Sequence, residues 1–145
     1  MPAFDPVTGV LPSGEHVATW EDVLDRFGWN SVRRRQLDGL GEALALLSEA
    51  GCVRVWLNGS FVTSKDEPAD FDAVWDPDGV DTERLDPIFF DLADGRRAQK
   101  ERFFGELFPE WTESGSGLRF SEFFQRDRVH GHKGIVVIEL RSVDS

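Results

Sequence analysis

The chain has no tyrosine, one cysteine and one methionine in 145 residues. A lone Cys52 closes no internal disulfide, and modification of the protein's own tyrosine is excluded. The first residues, "MPAFDPVTGV", lack the basic start and apolar core of a secretion signal, so a reducing, cytoplasmic setting is expected. Long apolar runs are missing too. "ALALL" and "GIVVI" fall far short of the roughly 20 residues that span a bilayer, and no membrane role is expected. Positive charge is scarce, with 16 Lys and Arg against 27 Asp and Glu for a formal net charge of −11. Coating nucleic acid non-specifically draws its energy from cations that neutralise phosphates, so that function is excluded. Contact with RNA has to be local, and a protein partner would suit this charge best if basic.

What is present is enough chain for one domain, residues 1–145, able to bury roughly 70% of the surface its unfolded form exposes. Residues 1–18, with Pro2, Pro6, Gly9, Pro12 and Gly14, read as an extended N-terminal arm. Thr19 and Asp22 form a capping-box pattern ahead of Trp20, Val23, Leu24 and Phe27, which predicts a short helix. Leu37, Leu40, Leu44 and Leu47 predict a second helix over 31–50, stopped by Gly51. Gly39 and Gly41 inside it either weaken the helix or mark a close backbone approach.

Residues 53–58, 70–75 and 134–140 have the alternation or β-rich composition of strands. Asp86-Pro87 suits a helix start, and 96–108 reads as a helix offering Ala98, Phe103, Phe104 and Leu107 for burial. "FSEFFQRD" suggests a further short helix. The resulting class is α+β: a small mixed β-sheet with helices packed mainly on one face. Arg33, Arg34 and Arg35, and then Arg96, Arg97, Lys100 and Arg102, read as solvated helix faces, with a phosphate-facing role left open.

Asp70 and Asp72 are the residues that need explaining. Two apart on a strand, they project from one face about 7 Å apart, where like charges repel unless one is neutralised, solvated or shared with a cation. Nine residues earlier, Gly59-Ser60 ends a strand and opens what reads as a helical turn, whose free N–H groups and small glycine suit an anion. Glu139, in a late strand, adds an acid where an apolar residue is expected. Together these features address a divalent cation with a triphosphate. "HGH", with His130 and His132, reads as a polar loop, and Cys52 as a small buried hydrophobe.

"LNGS", nine further residues, then "DFDA" resembles the signature of the polymerase-beta-like nucleotidyltransferase superfamily. Over most of its length the chain looks like a poorly characterised group of short bacterial proteins within or near it. The resemblance implies transfer of a nucleoside monophosphate from a nucleoside triphosphate to a hydroxyl acceptor on RNA, protein or a small molecule. By it, Asp70, Asp72 and Glu139 hold two Mg²⁺ ions, and Gly59 and Ser60 hold the β- and γ-phosphates. Lys65, and also Lys133, can be placed within reach of a phosphate. Short members resemble components of toxin-antitoxin or defence pairs. The alternative is a catalytically silent protein that keeps the fold and acts through a protein partner.

Overall fold

The computed structural model describes residues 3–4, 6, 9, 11–12, 14–58, 60–110, 126–127, 131–132 and 134–140. Its elements in chain order are β1 (Glu15–Ala18), α1 (Trp20–Phe27), α2 (Ser31–Glu49), β2 (Arg54–Asn58), β3 (Phe71–Trp75), α3 (Ala93–Phe103), β4 (Gly105–Pro109), β5 (Arg126–Asp127), β6 (Gly131–His132) and β7 (Ile135–Glu139). Single 3-10 turns occupy Ser60–Val62 and Pro87–Phe90. Five strands form a mixed sheet in the order β1-β7-β2-β3-β4, and β5 pairs with β6. The inner pairs β7-β2 and β2-β3 are antiparallel, while the edge strands β1 and β4 run parallel to their neighbours.

Alternation along each strand sorts its side chains between two faces. Val55, Leu57, Phe71, Ala73, Trp75, Leu107, Val136 and Ile138 lie in the main core with Val23 and Phe27 of α1, the leucines of α2, and Phe103 of α3. The other face carries a smaller cluster of Trp56, Val74, Ile135 and Val137, with Phe108 against it. The fold is therefore α+β, with its main helical core on one side of the sheet. Among the described residues, no helix is long and apolar enough to cross a membrane.

Local chemistry explains the helix bounds. The Thr19 hydroxyl accepts from the Asp22 N–H while the Asp22 carboxylate accepts from the Thr19 N–H, closing the capping box. Asn30 caps α2 by accepting from the Arg33 N–H. Gly39 marks a close approach: a Cβ there would collide with the carbonyl of Phe103.

Three expectations need correction. The last residues of the supposed arm form β1, an edge strand of the sheet, and Leu11 is buried. The helix expected over 96–108 stops at Phe103, because Phe104 turns left-handed (φ 65°) and the chain enters β4. Its next residue, Gly105, has no room for a side chain, since a Cβ would lie 2.5 Å from the Phe71 ring. Finally, Arg33 is buried rather than solvated. The short helix proposed for "FSEFFQRD" falls on residues outside those described, apart from Arg126 and Asp127 in β5.

Arg33 ties α2 to the loop that joins β2 and β3. Its Nη1 donates to the carbonyls of Phe27 (3.2 Å) and Phe61 (2.8 Å), its Nη2 to Thr63 and Lys65 (both 2.7 Å), and its Nε to Lys65 (3.0 Å). The guanidinium also lies 3.7 Å from the Trp29 ring centroid. Burial lowers its pKa to about 10, with Asp66 opposing the shift, so it stays charged at neutral pH. Gln36, one turn on, donates to the Pro68 carbonyl. Replacing Arg33 with Met should leave buried carbonyls unpaired and cost about 3–5 kcal/mol. Urea unfolding checks this, and an unchanged midpoint would refute the pinning role.

Candidate functional site

Strand register builds the site. Asn58 of β2 pairs with Asp72 of β3, and Asp72 pairs with Glu106 of β4, so three polar residues cross the sheet in one row. Directly paired residues project from the same side. These three share the face that carries Trp56, Val74 and Phe108, opposite the main core. Asp70 lies one residue before β3 and feels the charge of Glu106. Across from them stands Lys100 of α3, whose Nζ is 3.0 Å from Glu106 Oε1 and which also feels Asp70 and Asp72.

Helix α3 sits where it does because it covers the free edge of β4. Gln99 is buried, and its side-chain oxygen accepts the Leu107 N–H at 2.9 Å while its amide nitrogen donates to the Ile88 carbonyl. Lys100 is thereby carried past the edge toward the acids. Arg96 lies 4.0 Å from the centroid of Phe108, two residues along β4 from Glu106. Its backbone is left-handed (φ 63°), as are those of Asp94 and Gly95 before it. Arg96 Nε is buried without a hydrogen-bond partner.

The electrostatics follow from this crowding. Burial raises the pKa of Asp70, and Glu106 raises it further against the opposing pull of Lys100. Hydrogen bonding and charge from Glu106 raise that of Lys100. Asn58 is fully buried and its Oδ1 has no partner, although it stands beside Asp72 in the row. A buried amide oxygen left unpaired is costly, and such a cost is tolerated where a ligand can satisfy it.

The structure brings Asp70 and Asp72 together with Glu106, an acid that sequence reasoning missed. It does not bring Glu139 to them. Glu139 pairs in register with Arg54, at the far end of β2 from Asn58, roughly 13 Å away along the strand. There it meets Arg54 Nε at 3.3 Å and lines a cavity of about 310 Å³ with Glu15, Val17, Trp56 and Val137.

Ser60 opens a 3-10 turn of three residues, too short to carry the dipole of a helix, and Gly59 and Lys133 lie outside the described residues. Lys65 is exposed, and its carbonyl is held by Arg33. His132 is in β6, and His130 is not among the described residues. Burial pushes the Cys52 thiol up to about 11, which leaves it a poor nucleophile at neutral pH.

Oxygen donors of this kind suit a hard divalent cation such as Mg²⁺. Among the described residues, however, no three acids, imidazoles or thiols are already gathered as a metal cage. Glu106 is instead turned to Lys100. Any cation at Asp70 and Asp72 therefore has to compete with an ammonium.

The raised pKa of Asp70 has a sign that can be tested. The folded protein holds that proton more tightly than the unfolded chain, so the corresponding stability is complete below the ordinary value of 3.8 and is lost as pH rises through the folded pKa. At neutral pH the ionised carboxylate is a cost. Asp70→Asn should then raise Tm by about 3 °C at neutral pH, with the gain shrinking in acid. Thermal melts of both proteins across pH provide the check, and a lower Tm for the variant at neutral pH would contradict it.

A family model described as "Family of unknown function (DUF6932)" matches residues 2–139. No curated protein and no solved structure matches the chain. The chain belongs to this family of unknown function, DUF6932.

Proposed function

We propose that the chain is a magnesium-dependent nucleotidyltransferase, moving a nucleoside monophosphate from a nucleoside triphosphate to a hydroxyl acceptor. The observation that supports this best is the row Asn58, Asp72, Glu106, with Asp70 at its edge. On this reading Glu106, rather than Glu139, is the third acid.

Asp70, Asp72 and Glu106 would hold the cation, which supplies charge neutralisation on the phosphates and polarises the phosphorus under attack. The residues' own tasks are separable. Asp72 and Glu106, on neighbouring strands, keep their carboxylates on a rigid sheet, so little reorganisation accompanies ligand entry. Asn58 Oδ1 is available to a donor on the ligand or its water shell. Glu106, partly exposed, would take the proton of an acceptor hydroxyl as it attacks. Gly59 and Ser60, next in the chain after Asn58, keep the phosphate-holding role that the resemblance implies. The choice of RNA, protein or small molecule as acceptor, the cytoplasmic setting and a toxin-antitoxin or defence context rest on that resemblance.

One observation favours the second reading, a silent nucleotidyltransferase fold acting through a protein partner. The Lys100 ammonium already neutralises Glu106 at 3.0 Å, as a residue that replaced a metal would. Calorimetric titration separates the two. Native protein should bind a nucleoside triphosphate in Mg²⁺, and Asp70→Asn/Asp72→Asn should lose that binding. Glu106→Gln should lower Mg²⁺-dependent pyrophosphate release by about 100-fold or more, whereas Glu139→Gln should change it less than about threefold. Absence of Mg²⁺-dependent triphosphate binding in the native protein would favour the silent reading.

A further inference from the structure

Lys100 is the one described cation that both contacts Glu106 and feels Asp70 and Asp72. Asp72 and Glu106 on adjacent strands, with Asp70 just before the first of them, repel one another, and the ammonium offsets part of that repulsion at a distance where N–H donation to the carboxylate is strong. Its stem leaves from a helix that is fixed independently, through Gln99 on the β4 edge and Phe103 in the core. The base of the side chain is thus anchored, while its tip pairs with Glu106 on a side chain 43% exposed to solvent.

Two further features point to a ligand at the same place. Asn58 is fully buried beside Asp72 with an unpaired Oδ1, which Lys100 does not satisfy. Arg96, past Glu106 on the same face, stacks on Phe108 with a buried and unpaired Nε, in a left-handed conformation that a non-glycine residue adopts only at a cost. The cluster therefore offers an unused acceptor on one side and an unused donor on the other. A cation alone would answer the first, and an anion alone the second. A metal-bound oligophosphate answers both.

We infer that Lys100 is a placeholder for the metal and the phosphate ligand of the site: it balances Asp70, Asp72 and Glu106 in the free protein, and exchanges them for phosphate oxygens when a metal-bound oligophosphate arrives. The inference rests on the proposed metal-triphosphate reading and adds a residue and an order of events to it. No covalent step is involved. Because the ammonium opposes one ligand and attracts the other, its removal has effects of opposite sign on the two.

The test is Lys100→Met beside Lys100→Arg, titrated with Mn²⁺ alone and then with inorganic triphosphate in excess Mg²⁺. Removing the charge should tighten Mn²⁺ binding by about tenfold, because a competing cation is gone. It should weaken triphosphate binding by about tenfold, because a charge-assisted contact is gone. Lys100→Arg, which keeps the charge, should stay within about threefold of native in both titrations. If Lys100→Met leaves Mn²⁺ affinity unchanged or weakens it, while Asp70→Asn/Asp72→Asn abolishes Mn²⁺ binding, the placeholder role is wrong and the metal site stands. If native protein and Lys100→Met both fail to bind Mn²⁺, the metal reading and this inference fall together.

Discussion

The candidate site depends on a buried guanidinium that does no chemistry. Arg33 gathers the carbonyls of Phe27, Phe61, Thr63 and Lys65, and so fixes the connection between β2 and β3 against the start of α2. Backbone carbonyls in a tight loop have no ladder to join, and a planar group with several donors satisfies several of them at once. Asn30 and Trp29 add bonds from the same turn to Asp66, and Gln36 adds one to Pro68. With that loop held, the pairing of β2 with β3 is set, and with it the position of Asp72 beside Asn58.

The same economy governs the other side of the site. A parallel edge strand needs a connection that crosses the sheet end, and α3 supplies it while covering the exposed ladder of β4 through Gln99. One helix then sets two things: the register that puts Glu106 next to Asp72, and the base from which Lys100 reaches them. The cost is visible in the left-handed residues Asp94, Arg96 and Phe104 on either side of the regular part of α3. Strain, a buried unpaired amide and mutually repelling acids are thus gathered in one small region, each of them a cost to stability.

Periodicity made much of the fold legible. The capping box of α1, the span of α2, and the three central strands all follow from spacing or composition that neighbouring residues alone impose. Two strands of the five-stranded sheet escaped. Residues 15–18 are short and lie at an edge, so half of their side chains meet solvent and only Ala18 is buried. Residues 105–109 continue an apolar pattern that suits a helix, and the break at Phe104 comes from a left-handed backbone at a residue that ordinarily avoids it. Missing β4 meant missing Glu106. A Gly-Glu-Leu-Phe-Pro run after a helix carries an alternating signal, but one shorter than the helical pattern it follows.

By itself, the sequence determined an acidic pair at the start of a strand, the glycine-serine break before it, the burial of Cys52 and the α+β class, because each depends on residues close together in the chain. Tertiary structure alone decided the partners of that pair. Glu139 and Glu106 are both acids in short strands, and nothing local distinguishes them. Their difference is one of sheet order: β4 lies beside β3, whereas β7 lies on the other side of β2, with Glu139 at the end of β2 remote from Asn58. Strand order is set by which faces bury together and by how the chain crosses the sheet. Both are properties of the whole packed core, which no short window of residues contains.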